Sequence, residues 1–158
     1  MDAVATLSRK ANSARVRVLQ LSDLPRIMPL ENNAYDFPWS EAIFRDCFNS
    51  AYTGLAIEVE GAFLGYGMLS IAAGEAHILN VVIDSNQRSC GLGRKLVRRL
   101  IDQARWHRVE RVFLEVRASN IVARSLYANL GFQEIGVRKA YYPGRKTRED
   151  AVVMSLQL

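Results

Sequence analysis

Seven strand-like runs separated by helix-like ones along 158 residues predict one α/β (or α+β) domain on a mixed sheet. Three observations carry that reading. Residues 52–83 hold three strand runs joined by tight turns, which make an antiparallel meander. Residues 92–107 form the strongest amphipathic pattern in the chain, directly after a strand. From there to residue 138 strands and a further helix alternate, and no linker, internal repeat or low-complexity run interrupts them.

Taken in order, Arg, Val, Arg, Val over the first part of 15–20 alternate with the period of a half-buried strand. Ser22 offers an N-cap, with Pro25 in the first turn and Leu24, Ile27, Met28 and Leu30 at helical spacing. After a loop over 33–38, Ser40 caps a second helix carrying Ile43, Phe44, Cys47 and Phe48 on one face. Strands follow at 52–59 and 62–72, joined by the Glu60-Gly61 turn, with Gly65 and Gly67 on the second. Gly74 turns the chain into 76–83, whose continuous apolar run places it near the centre of the sheet. Leu92, Leu96, Val97, Leu100, Ile101 and Ala104 make one face of the next helix, and Arg94, Lys95, Arg98, Arg99, Asp102 and Arg105 the other. A fifth strand spans 111–117, a helix 120–130 is closed by Gly131, and a sixth strand spans 132–138. The loop 141–148 leads to a last strand at 150–156.

Composition narrows the class. With 49% hydrophobic and 23% charged residues the chain is globular rather than disordered or collagen-like. A net charge of +5 favours an anionic partner such as nucleic acid, a phosphorylated cofactor or an acidic surface. Two cysteines, Cys47 and Cys90, and two histidines, His77 and His107, stand at no zinc-binding spacing, so no metal and no disulfide framework is expected. No run approaches the ~20 apolar residues of a membrane span, and residues 1–14 lack the apolar segment of a secretory signal. A reducing cytoplasm is the expected compartment.

The informative segment is 81–95. An apolar strand ends in a polar loop, and Gly91, Leu92 and Gly93 open a basic helix. Glycines allow close backbone approach, first-turn N–H groups lack helical partners, and the helix dipole adds positive potential, so an anion fits there. The plainer reading is a strand-to-helix turn eased by small residues. Spacing excludes two known phosphate loops: a dinucleotide fingerprint needs glycine at Leu96, and a Walker A loop needs Gly-Lys-Ser/Thr.

What remains, Arg88-x-x-Gly91-x-Gly93 after an apolar strand, resembles the acyl-coenzyme A loop of the GCN5-related N-acetyltransferase (GNAT) superfamily. The resemblance narrows to the bacterial ribosomal-protein-alanine N-acetyltransferases through Phe37, Pro38, Trp39, Ser40 and Glu41. Further matches are Leu114 to Asn120, Ser125, Leu126 and Tyr127 before Gly131 and Phe132, Tyr141, Tyr142 and Pro143, and Arg148 to Ala151. It spans residues 15–158 as one domain and leaves 1–14 as an extension whose order is not required. It departs in the loop, where the family usually has Pro at Ser85 and Gln-Arg-Gln-Gly at Arg88, Ser89, Cys90 and Gly91. Backbone N–H groups hold most of the phosphate, so these changes bear on affinity more than on cofactor identity.

The resemblance implies a seven-stranded, mostly antiparallel sheet flanked by about four helices and splayed between strands 4 and 5, with acetyl-coenzyme A in the gap. Val81, Val82 or Ile83 would supply the oxyanion N–H and bind pantetheine. Arg88, Ser89, Cys90, Gly91, Leu92, Gly93 and Arg94 would hold the diphosphate, and Asn120 the cofactor arm. Amide formation from a thioester needs a neutral amine, an oxyanion donor and a proton for the thiolate. The family's base matches Glu115 and its acid matches Tyr127. Glu31, Asp36 and Tyr142 flank the acceptor entrance, suited to a basic peptide. The implied substrate is the N-terminal alanine of small-subunit ribosomal protein eighteen, and the implied enzyme is a monomer needing neither metal, membrane nor direct nucleic-acid contact.

Read without the resemblance, the same residues have other uses. Glu115 shares its strand face with Phe113 and Arg117 and would pair with a neighbouring arginine. Tyr127 would pack on Leu126 and Phe132, and Asn120 would cap a helix. Phe37 and Trp39 are read as packing between the first two helices, Arg98, Arg99, Arg105, Arg108 and Arg111 as a solvated face, and Cys90 as an inert thiol. Two functions compete with the leading one: an acetyltransferase of the same fold with broader N-terminal, lysine or small-amine specificity, and a basic RNA- or ribosome-binding module.

Overall fold

Two-residue turns set the register of the first half of the sheet. A computed structural model describes residues 9–158. Glu60 and Gly61 have φ of 51° and 79°, and Ala73 and Gly74 repeat the pair at 51° and 79°. Two successive left-handed residues give the twist that antiparallel strands need. They join β2 (Thr53–Val59), β3 (Ala62–Ala72) and β4 (Glu75–Ile83), and β1 (Arg15–Val18) adds to β2, all antiparallel. The helix α3 (Leu92–Trp106) then carries the chain across to β5 (Arg111–Arg117), which pairs with β4 in parallel. After α4 (Ile121–Asn129) come β6 (Gln133–Tyr142) and β7 (Glu149–Gln157), and the spatial order is β1-β2-β3-β4-β5-β7-β6. Two further helices, α1 (Leu24–Ala34) and α2 (Glu41–Asn49), lie between β1 and β2 in sequence. The architecture is the expected one, with a single parallel pair in an otherwise antiparallel sheet.

Each face of the sheet has its own core. The apolar stripe of α3 packs with Ile57, Leu69, Ile78, Leu114, Tyr127 and Phe132 on one face. On the other, Ile27 of α1 and Phe44 and Cys47 of α2 cover Tyr66, Met68 and Val82. Gly67 explains how α3 comes so close: a methyl there would sit 2.7 Å from Leu100 Cδ1. Among the described residues no helix is long and apolar enough to cross a membrane.

Several boundaries differ from the expected ones. Strand β1 stops at Val18, and Ser22 lies in a short 3₁₀ turn (Leu21–Asp23) that puts Asp23, not Ser22, before α1. Helix α1 runs on to Ala34, past the expected loop start. Strand β6 continues to Tyr142, well beyond 138; it is the sheet edge and exposed almost throughout, so no burial period marks its end. Residues 9–13 are helical and Ala14 is buried in the main core, while the part of the extension before residue 9 lies outside the described residues.

Asp23 anchors the start of α1. Its buried carboxylate accepts from both terminal nitrogens of Arg17 (2.8 and 2.9 Å), from Arg26 and from the Gln20 amide (2.8 Å). The Arg17 guanidinium chiefly, with the Gln20 amide, lowers its pKa from 3.8 to about 2 against the opposing cost of burial. The stabilisation is therefore complete above about pH 4 and lost as pH falls towards 2. Asp23→Asn is expected to destabilise the fold by about 2 kcal/mol at neutral pH in chemical denaturation. The gap between variant and parent should close on acidification through that window, and a gap independent of pH would contradict the ion-pair account.

Candidate active site

Pairing between β4 and β5 is brief. It runs from Glu75 opposite Arg111 to Ile78 opposite Leu114 and stops, although β4 continues to Ile83 and β5 to Arg117. The cause lies on the other side of β4, where the register with β3 shifts between Met68 and Leu69. Asn80 faces Met68 and Ile78 faces Leu69, so Leu79 is an extra residue, a bulge that bends β4 away from β5.

The bulge leaves backbone groups open. Asp84 N donates to Leu64 O at 2.8 Å, and because antiparallel pairs alternate, Val82 and Asn80 also bond to β3. Val81 and Ile83 therefore turn their N–H and C=O groups towards the gap. Tyr35 agrees with this assignment: its hydroxyl lies 3.2 Å from the Val81 carbonyl and 3.1 Å from Asn80 Oδ1. Of the three expected amide donors, Val82 is the one committed to the sheet.

The gap opens into a cleft of about 760 Å³. Val81, Val82 and Ile83 form one wall and Asn120, Ala123, Leu126 and Tyr127 of the α4 region another. Arg88, Ser89, Gly91, Gly93 and Arg94 close one end. Ser89 and Gly91 have φ of 63° and 81°, the left-handed turns from which anion-binding concavities are built. Gly91 stands at the N-cap of α3 and no side chain caps that end, so the amides of Leu92, Gly93 and Arg94 remain available. Neither Arg88 nor Arg94 pairs with a carboxylate among the described residues. The side chains of Cys90 and Leu92 turn inward into the core, the Cys90 thiol lying 3.5 Å from the Arg88 carbonyl, so these two residues offer the cleft only backbone. Asn120 caps α4 as read from sequence, its Oδ1 accepting from Ala123 N at 3.1 Å, and it also lines the cleft.

Glu115 and Tyr127 approach from opposite faces of the sheet. Val112, Leu114 and Val116 share a core with Tyr127, which puts Glu115 on the other side of β5. Glu115 does not line the cleft; its carboxylate is 3.7 Å from Arg138 on β6, the arginine pairing read from sequence. Burial, with Glu115 second, raises the pKa of Tyr142 to about 12, and burial, with Tyr142 second, raises that of Tyr127 to about 12.

The acceptor-side residues divide. Asp36 lines the cleft and pairs with Arg145 at 2.8 Å, tying the loop after α1 to the loop before β7. Glu31 does not sit on a loop surface as expected. It is buried in α1, where Oε1 accepts from Trp39 N (2.9 Å) and Oε2 from Tyr66 and from Asn80 Nδ2 (3.0 Å), so no acceptor peptide reaches it. Trp39 packs on Phe44 as read, whereas Phe37 is exposed at the cleft.

Sequence reading missed three residues here. Tyr35 is half-buried beside the bulge, and desolvation, with Glu31 next, raises its pKa well above the phenol range. Glu149 lines the cleft, accepting from the Ser119 hydroxyl (2.6 Å) and amide (3.2 Å), which with Arg117 lowers its pKa. Arg117 also lies over the Tyr142 ring at 4.6 Å. An Arg-x-Ser step before a helix and a Glu opening the last strand were visible, but nothing local marked them as neighbours. Among the described residues no three metal-ligating side chains converge.

The buried phenols give a test. Their raised values mean that folded and unfolded chains hold equal protons below about pH 10, and that the unfolded chain alone releases them as pH rises towards 12. Stability should therefore fall from about pH 10 upward, and Tyr127→Phe should make the fall shallower in urea unfolding at a series of alkaline pH values. An unchanged slope would show that Tyr127 is not held protonated by burial.

Comparison with known proteins agrees with the architecture. The acetyltransferase (GNAT) family pattern matches residues 20–132. The [ribosomal protein bS18]-alanine N-acetyltransferase of Escherichia coli K12 is 36% identical over 140 residues, 89% of this chain and 95% of that protein. The protein of the same name from Haemophilus influenzae is 33% identical over 141 residues, 89% and 96% of the two chains. The crystal structure of the E. coli ribosomal-protein-S18-alanine N-acetyltransferase superposes with a TM-score of 0.86 at 35% identity, covering 91% of this chain and 93% of that one. A splayed sheet, an uncapped glycine turn and relatives aligned along most of the chain place this protein in the acetyltransferase (GNAT) family.

Proposed function

We propose that this chain transfers the acetyl group of acetyl-coenzyme A to the N-terminal amino group of a protein, most directly the alanine that begins ribosomal protein bS18. One observation carries the chemistry: the bulge at Leu79 leaves the Val81 and Ile83 amides open beside the uncapped start of α3. The acceptor follows from relatives of that name that align over most of both chains. The reading includes a single domain over residues 15–158, acting as a monomer in the cytoplasm without a metal or nucleic acid.

Acetyl-coenzyme A, when bound, supplies an acetyl group activated as a thioester. Arg88, Arg94 and the amides of the Gly91 turn suit its diphosphate, and the cleft between β4 and α4 suits its narrow arm. The Val81 and Ile83 N–H groups are the donors for negative charge developing on the acetyl oxygen. The Asn120 side-chain amide, its oxygen used in the cap, keeps a donor for the arm. Asp36 and Tyr142 stand where the acceptor enters.

An α-amino group of pKa ~8 is mostly protonated at neutral pH, so a base is needed. Glu115 takes that role through intervening water, since its carboxylate lies outside the cleft on the face of the sheet opposite Tyr127. Tyr127 gives the proton to the departing sulfur. At a pKa of about 12, donation to a free thiolate of pKa ~8.5 is uphill by about 3.5 units, about 5 kcal/mol. Burial of the sulfur in the same cleft raises its proton affinity too and lowers that cost.

Mass spectrometry of N-terminal peptides incubated with acetyl-coenzyme A is expected to show α-acetylation of the alanine-starting bS18 peptide ahead of lysine or small amines. Glu115→Gln should keep coenzyme binding and lose about 100-fold or more in turnover, most severely at low pH, and Tyr127→Phe should lower kcat with little change in KM for the coenzyme. Turnover of Glu115→Gln equal to the parent across pH would reject the base.

A further inference from the structure

Residues 9–14 precede the stretch matched by the family pattern, and the reading above gives them no work. They nonetheless touch the glycine turn at several points. Lys10 Nζ donates to Gln87 Oε1, and Gln87 lines the cleft. Lys95, in the first turn of α3, donates to the carbonyls of Ala11 (3.0 Å) and Ala14 (2.6 Å). Those carbonyls stand at the end of the helical residues 9–13, where the helix dipole is negative and an ammonium group is favoured. Ala11 lies against Gly91, since a methyl built on Gly91 would meet Ala11 Cβ at 3.4 Å.

The contacts redistribute charge around the cleft. Lys95 follows Arg94 directly, yet it is turned to the N-terminal segment and does not line the cleft. Lys10, bonded to Gln87 Oε1, stands at the rim of the loop without lining the cleft itself. It is bonded to a neutral amide and pairs with no carboxylate among the described residues, which sets a positive charge at the loop's rim. The loop it touches holds two left-handed residues, Ser89 and Gly91. A loop of that shape, left untied, must be ordered when an anion binds, at a cost in affinity.

We propose that residues 9–14 are a working part of the coenzyme-phosphate site: a brace that keeps the loop 85–91 in its anion-binding shape and a carrier that sets the Lys10 ammonium at its edge. The ligand is the phosphate-bearing end of coenzyme A, so the proposal rests on the acetyl-coenzyme A reading. Lys95 and Ala11 act by position, holding the segment to the loop. Lys10 acts by charge.

Calorimetric titration of coenzyme A into full-length protein at two salt concentrations, with steady-state kinetics, separates these roles. Ala11→Asp and Lys95→Gln should each weaken Kd about three- to tenfold. Lys10→Gln should weaken it about two- to fivefold, with the difference shrinking at high salt and Lys10→Arg restoring the parent value. The losses should appear in Kd and in KM for the coenzyme and not in kcat. Variants whose Kd equals that of a parent that binds normally would overturn the brace alone, as would losses confined to kcat. A parent that fails to bind coenzyme A would overturn the acetyl-coenzyme A reading together with it.

Discussion

The early end of hydrogen bonding between β4 and β5 organises everything on this molecule that does chemistry. A fully paired parallel strand would consume the N–H and C=O groups of Val81 and Ile83. The extra residue at Leu79 prevents that, and the sheet gives up its last potential β4–β5 bonds after Ile78 and Leu114. Unpaired backbone groups in a protein interior are costly unless something else meets them. Here the opening is a cleft rather than a void, and Tyr35 meets one of the carbonyls. The same bend aims the end of β4 at the glycine turn, so the open amides of Val81 and Ile83 and the uncapped turn at Gly91 line one continuous cleft.

Such an opening must be held apart from behind, and a buried polar cluster does it. Glu31 takes three donors, from the Trp39 backbone, Tyr66 and Asn80, and Asn80 is the residue next to the bulge. A carboxylate this deep is tolerable because both oxygens are satisfied. Gly65 on β3 shows how tight the region is: a methyl there would come within 2.5 Å of the Val82 carbonyl. Helix α1 and the loop after it thus do more than cover the sheet, since they carry Glu31 and the Trp39 amide that fix the shape of the splay.

Features set by local pattern were readable from sequence. The stripe of α3, the paired left-handed turns at Glu60-Gly61 and Ala73-Gly74, and the bare glycine opening of α3 need only neighbours in the chain. Features set by distant partners were not. Glu31 looked like a loop carboxylate because the residues that satisfy it lie 35 and 49 positions away. Glu149 joins Ser119 across 30 positions, and Tyr35 reaches β4 across 45. The end of β6 was hidden for a different reason: an exposed edge strand has no buried face, so alternation stops being informative. Glu115 and Tyr127 were singled out by resemblance, while their approach from opposite faces of the sheet became visible only with the register of β5.

Amide hydrogen exchange with and without coenzyme A tests the central claim most directly, because it reads the backbone groups themselves. The account predicts slower exchange on binding at Val81, Ile83 and the first turn of α3, with Val82, already bonded to β3, little changed. Protection absent from those amides, or confined to the arginine face of α3, would contradict it.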